Sequence, residues 1–252
     1  MALKVTVTPL LILAASLASR RWGESIGGWF VGLPLTSAPV CFFLALDHGP
    51  DFATTASLGS LLGVASEATF VFLYSIVARR SGWPLAWVVA SSGFALCGFV
   101  LTPAALSLSA AMVTALISLV AVLVLMPRLD FRAVTLPRPP QWDIPARMIV
   151  ATALVLGLTA LAPYIGARAS GLLSTYPVFA TVLAVFGHQY SGAAAAVQVL
   201  RGLLIGLFAF VGFFAVVALT IEPHGTAFAF ATATFAALAI QGASLAIMRR
   251  RA

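Results

Sequence analysis

Nine stretches of this chain are long and apolar enough to cross a lipid bilayer, and they leave little sequence for anything else. A helix needs about 20 apolar residues to traverse a ~30 Å hydrocarbon core. That length fits residues 4–19, 28–46, 52–78, 83–101, 104–126, 147–166, 170–188, 192–220 and 226–248. Only 8% of the 252 residues are charged, where soluble domains carry about 25%. Fourteen Lys+Arg and seven Asp+Glu cannot coat a water-soluble fold of this size. The composition excludes a soluble enzyme, a disordered chain and, despite the net charge of +7, a nucleic-acid module. The expected fold is an all-α, polytopic transmembrane helix bundle, with membrane lipids as its surroundings.

Basic residues orient such a bundle, because cytoplasmic connections are enriched in Lys and Arg. With the N-terminus outside, the cytoplasmic connections 20–27, 79–82, 127–146, 189–191 and 249–252 collect Arg20, Arg21, Arg79, Arg80, Arg128, Arg132, Arg138, Arg147 and Arg249 to Arg251. Lys4 and Arg168 remain outside. Trp22, Trp29, Trp83, Trp87 and Trp142 fall at the same cytoplasmic interface, where an amphipathic ring prefers to sit. The first span is short, and Ser16-Leu17-Ala18 looks like a signal-peptidase site. Arg20 and Arg21 directly after it would oppose export, so it reads as a mature helix. Thirteen of the fourteen basic residues are Arg and Ala is abundant, which points to a GC-rich bacterial genome. The expected location is the bacterial inner membrane, N-terminus outside and C-terminus cytoplasmic.

The chain also suggests an internal duplication. Leu35-Thr36-Ser37-Ala38-Pro39-Val40 matches Leu173-Ser174-Thr175-Tyr176-Pro177-Val178 at a spacing of 138 residues. Gly59-Ser60-Leu61-Leu62-Gly63 matches Gly202-Leu203-Leu204-Ile205-Gly206 at a spacing of 143. The difference implies five extra residues in the second copy, around Gln189 to Ala194. The division is a first repeat at 1–101, a linking helix and Pro-rich loop at 102–146, and a second repeat at 147–252. Leu136-Pro137-Arg138-Pro139-Pro140 makes that loop a stiff connector. Four spans, one odd helix and four more spans give an inverted repeat, an architecture found in many secondary transporters.

The second half, in Gly171-Leu172-Leu173-Ser174-Thr175-Tyr176-Pro177-Val178-Phe179-Ala180, Arg201-Gly202-Leu203-Leu204-Ile205-Gly206-Leu207-Phe208 and an Arg-capped last helix, resembles the small bacterial GlpM-like membrane proteins. The similarity covers roughly residues 148–251 and extends more faintly to the first half. It implies an association with envelope polysaccharide production and supplies no catalytic residues. This chain differs in being a fused pair.

Pro39 and Pro177 lie near the middle of their spans, preceded by Thr36 and Ser37 and by Ser174 and Thr175. Proline opens a helix by removing a donor and crowding the carbonyl one turn earlier. Irregular backbone at membrane depth survives only under protein or beside a water-filled space. Two broken helices meeting at the midplane would line a binding site with those four hydroxyls and Tyr176. The bland alternative is a pair of ordinary kinks, with Ser and Thr bonding to their own helices. Glu67 is the only acid inside a span and Arg201 the only base. A lone charge at that depth costs about 2.5–3.5 kcal/mol on insertion scales, so a partner or a wet site is expected. Glu67 is the candidate proton- or cation-coupling carboxylate. Arg201, with Gln198 one turn earlier, is its counter-ion or a substrate anchor, the alternative being a pair that holds two helices in register. Gly59, Gly63, Gly202 and Gly206 let backbones approach; they are expected to pack spans 3 and 8 together, with a homodimer contact as the rival.

Other polar groups carry less. Asp47, His48 and Asp51 crowd one outer turn, best read as solvated around Gly49-Pro50. His188 and His224 are interfacial singles, and Cys41 and Cys97 are small apolar-segment residues without metal-ligand spacing. No cofactor, metal or catalytic motif is expected. The function expected is secondary transport of a small solute or lipid-linked intermediate by alternating access, proton-coupled through Glu67. The alternatives are an accessory subunit of an envelope-assembly complex and, last, an intramembrane lipid-modifying enzyme.

Overall fold

The computed structural model describes the backbone of residues 2–251 except 36, 102, 104, 105, 128, 130–139 and 141. It describes the side chains except those of 2–5, 40, 44, 158, 159, 161–174 and 249–251 as well. The Pro-rich connector, Thr36, the side chain of Ser174 and the start of the GlpM-like stretch therefore lie outside the described residues. Within them the fold is all helix, ten segments and no strand. These are α1 (Ala2–Trp22), α2 (Glu24–Val31), α3 (Ser37–His48), α4 (Pro50–Val77), α5 (Trp83–Leu101), α6 (Leu108–Leu125), α7 (Asp143–Ser174), α8 (Val178–Ser191), α9 (Ala193–His224) and α10 (Thr226–Arg251).

Five described helices are long and apolar enough to cross a membrane: Pro50–Val77, Trp83–Leu101, Leu108–Leu125, Ala193–His224 and Thr226–Met248. The chain is a multi-pass membrane protein. Its outer helices expose large apolar side chains such as Phe99, Val124 and Phe235, as expected where the solvent is lipid and only the polar backbone must be satisfied internally.

The core is the pair α4 and α9, which pack on each other. Thr54 near the start of α4 hydrogen-bonds Glu222 near the end of α9, so the two run antiparallel. Helix α5 covers α4, α10 covers α9, and α6 packs on both central helices. Helices α7 and α8 leave from and return to one face, because Trp142 before α7 meets Tyr190 at the end of α8, ring centroids 6.1 Å apart. Positive-φ glycines make the sharp reversals. Gly49 (φ 88°, ψ 176°) starts α4 and Gly192 (φ 82°, ψ 176°) starts α9, a backbone region that a Cβ disfavours.

The chain is interrupted twice in mid-element, and here the structure departs from expectation. The first interruption includes residues 32–35 and is centred on Pro34. Pro39 sits instead in the first turn of α3, where a missing N–H breaks no intrahelical bond; its side chain is exposed. The second interruption is Thr175-Tyr176-Pro177. Both have one hydrogen-bond pattern. Leu35 N–H donates to Leu33 C=O across Pro34, and Val178 N–H donates to Tyr176 C=O across Pro177, each at 2.8 Å. Pro177 has φ −78° and ψ 65°, the inverse γ-turn. The proline carbonyls then accept from Ala38 N–H (2.9 Å) and Thr181 N–H (2.8 Å), opening the next helix.

Pro34 and Pro177 are 143 residues apart, as are Gly49 and Gly192, Gly63 and Gly206, and Gly82 and Gly225. The starts of α4 and α9, and of α5 and α10, share that spacing. So do the buried positions of the covering helices: Ala86, Ala90, Phe94 and Gly98 on α5, and Ala229, Ala233, Ala237 and Gln241 on α10. With one spacing throughout, no five-residue insertion is needed.

Two further expectations change. Helix α7 continues through residues 167–169, where an outer turn carrying Arg168 was expected. Ala167-Arg168-Ala169 are strong helix formers, and no helix-breaking residue stands among them. Trp87 and Trp29, expected only as interface anchors, each donate the indole N–H to a protein hydroxyl, of Tyr176 (2.8 Å) and Ser244 (2.9 Å).

Candidate functional site

One face of α4 assembles the site. Gly63, Ser66, Glu67, Phe70 and Tyr74 recur three or four residues apart, which places them on one side of a helix. Three of them meet the second interruption and the helix that follows it. A Cβ on Gly63 would lie 2.6 Å from the Thr175 side chain. Phe70 meets Tyr176 edge to face at 5.8 Å. Tyr74 Oη and His188 Nδ1 of α8 are 3.3 Å apart. Glu67 lies between these contacts, 6% exposed, and therefore faces the segment where α7 ends and α8 begins.

Tyr176 is the fixed point of that segment. Its hydroxyl accepts from Trp87 Nε1–H at 2.8 Å and bonds Ser91 Oγ at 2.9 Å. Its ring lies edge to face with Phe94 at 5.3 Å. Trp87, Ser91 and Phe94 all belong to α5, so α4 and α5 together grip the second interruption.

Around this grip, buried polar atoms lack partners. Glu67 makes no ion pair or hydrogen bond with any described residue. Ser66 Oγ and Thr181 Oγ1 are buried without a hydrogen-bond partner. Leaving a buried polar group unmatched costs about 1–3 kcal/mol, and native interiors avoid it. Ser66 adjoins Glu67 on α4, and Thr181 lies one turn past Pro177 on α8, so unmatched polar groups that can take up a proton, a cation or a donor group occur on both elements that meet at the interruption. Among the described residues, no three His, Cys, Asp or Glu side chains converge as metal ligands.

The structure thus gathers Glu67, Thr175, Tyr176 and Pro177. It does not gather Pro39, which is exposed, while Ser37 is half-buried at the start of α3. Gln198 and Arg201 are half-buried on α9 just before Gly202, and Arg201 has an interaction of its own. The glycines also differ from expectation in their partners. Cβ atoms on Gly202 and Gly206 would run into the backbone of α2, at Ser25 and Trp29 respectively. Gly63 faces Thr175, and Gly59 faces open space. None of the four seats α4 against α9.

Sequence reasoning missed Ser66, Trp87, Ser91 and Thr181. Nothing local marks a serine or tryptophan as facing a tyrosine more than 80 residues away. Pro34 was legible, since the 143-residue spacing of the glycines leads from Pro177 straight to it. Compared with protein-family models, with curated proteins and with solved structures, the chain matches none.

Proposed function

We propose that this protein is a secondary transporter of the bacterial inner membrane, built from two inverted copies and moving a small solute or lipid-linked intermediate by alternating access. The observation that carries the reading is Glu67: a carboxyl buried among helices, unpaired, and facing an interrupted helix. Intramembrane acids are rare and mark ion or substrate paths, and discontinuous helices supply the binding site in many carriers. The repeat is supported by the 143-residue recurrence of prolines, glycines, helix starts and buried faces. Its inversion is supported by the antiparallel run of α4 and α9, which are equivalent helices in that register. The Arg-rich face, holding Arg20, Arg79, Arg80 and Arg147, is cytoplasmic on the positive-inside rule, with the N-terminus outside.

In this mechanism Glu67 accepts a proton or cation from one side, the second interruption rearranges about Pro177, and the site opens to the other side. The test is proton movement. Purified protein is reconstituted into liposomes loaded with a pH-sensitive dye, and a panel of small solutes is added outside. One solute should drive proton flux in the wild type. Glu67→Gln should abolish that flux while its expression and folding are retained. Equal flux in Glu67→Gln would remove the coupling role.

The close packing of the first interruption favours a second reading, an accessory subunit of an envelope-assembly complex in line with the GlpM-like resemblance. On that reading no solute in the panel moves protons, and the protein co-purifies with a partner enzyme.

A further inference from the structure

We infer that the Arg-rich face is closed by an electrostatic latch centred on Asp143, and that this latch sets which side of the transporter is shut. The inference rests on the alternating-access reading above. Asp143, the first residue of α7, has a fully buried side chain. Its Oδ2 accepts from Arg20 Nη2 at the end of α1 at 2.9 Å, and its Oδ1 accepts from Arg147 Nε at 3.0 Å. The Arg147 guanidinium lies over the Phe186 ring of α8, 5.2 Å from its centroid. Glu24, the first residue of α2, lies within the field of Arg147 and Arg20, and its Oε2 is buried without a hydrogen-bond partner. One carboxylate and two guanidiniums therefore tie the end of α1 to α7 and α8, beside the start of α2.

Only one of these bonds reaches beyond α7, tying the first proposed copy to the start of the helix that runs on into the second. Arg147 and Asp143 sit four residues apart on one helix, whereas Arg20 and Asp143 lie 123 residues apart, on α1 and α7. The opposite face offers a much weaker counterpart, the exposed hydrogen bond from Thr54 Oγ1 to Glu222 Oε1 at 3.2 Å. Arg20 is 40% exposed but its partner carboxylate is fully buried, and an ion pair anchored on a buried carboxylate outweighs an exposed hydrogen bond, which water and salt attenuate. The asymmetry favours a resting state closed at the Arg-rich face. Opening that face requires Arg20 to leave Asp143, and Glu24 stands ready to receive the released guanidinium.

Side-specific labelling tests this. In a Cys41→Ala, Cys97→Ala background, Ser66→Cys places a thiol at the candidate site of the full-length protein. A membrane-impermeant maleimide is then applied to vesicles of either orientation. Arg20→Gln should raise labelling from the Arg-rich side about tenfold and lower it from the other. Arg20→Lys, which keeps the charge, should restore most of the original rate. Arg147→Gln, which leaves the Arg20–Asp143 bond, should have a clearly smaller effect. Labelling from the far side that Arg20→Gln leaves unchanged would overturn the latch while sparing the transporter. Absence of labelling from both sides in every variant would overturn the transporter reading and the latch with it.

Discussion

The two interruptions share a backbone and differ in everything that touches it. At the first, Leu33, Pro34 and Leu35 follow a helix pressed directly onto α9, with Gly28 against the Val199 carbonyl and Gly32 against Gly206. The polar side chains nearby bond mainly to one another: Gln241 Nε2 donates to the Trp29 carbonyl at 2.9 Å and Trp29 Nε1 donates to Ser244, while Gln241 Oε1 is buried without a partner. At the second, Thr175 and Tyr176 replace Gly32 and Leu33. The facing helix carries Glu67 where α9 has Phe210, and Ser66 and Thr181 stand unmatched. The lesson is a division of labour. The γ-turn and its proline carbonyl cap set the shape at both places, and the side chains then make one a close-packed joint and the other a candidate site.

Replacing the close-contact glycines should produce the largest effects. Gly202→Ala forces a Cβ into the Ser25 carbonyl oxygen. That overlap with backbone should cost about 3 kcal/mol or more, seen as a large loss of thermal stability in detergent. Gly63→Ala meets only the Thr175 side chain and should cost about 1–2 kcal/mol, recovered in part by Thr175→Gly. Gly59→Ala enters open space and should stay within about 0.5 kcal/mol of wild type. If all three lose stability equally, the two joints do not differ in the way described.

Pro34→Ala and Pro177→Ala should separate structure from function. The first should lower stability while flux per folded molecule persists. The second should lower flux more than stability, since Pro177 borders the site. Tyr176→Phe strips Trp87 and Ser91 of a shared partner and should cost about 1–2 kcal/mol, with a shift in Trp87 fluorescence that Leu33→Phe at the first interruption does not produce.

The smallest effect concerns Glu24. Burial raises its pKa above the usual carboxylate value, against the opposing pull of Arg147 and Arg20. The folded state therefore binds this proton more tightly than the unfolded chain does. Its contribution is full below the unfolded pKa and is lost as pH rises through the folded one. Melting temperature in the wild type should fall across that window, and Glu24→Gln should flatten the fall. A steeper fall in Glu24→Gln would contradict the assignment.

Much of this was legible in the sequence, because hydropathy alone fixes a membrane bundle and leaves a single intraspan acid to notice. Other features were hidden for physical reasons. Pro39 looks as disruptive as Pro34 in a string of letters, but proline is harmless in a first helical turn. The expected turn at 167–169 rested on span length, and length does not break a helix that no residue interrupts. Asp143 and Arg147 read as part of a polar connection; only the folded chain shows that Arg20 meets Asp143.

On the proposed mechanism, Glu67 exchanges protons or ligand during the working cycle at the second interruption. Infrared difference spectroscopy on the reconstituted protein tests it directly, comparing spectra with and without a pH step or an added solute. A carboxyl C=O band should change in the wild type and vanish from the difference spectrum of Glu67→Gln. A spectrum in which Glu67→Gln and wild type are identical under every condition would contradict it.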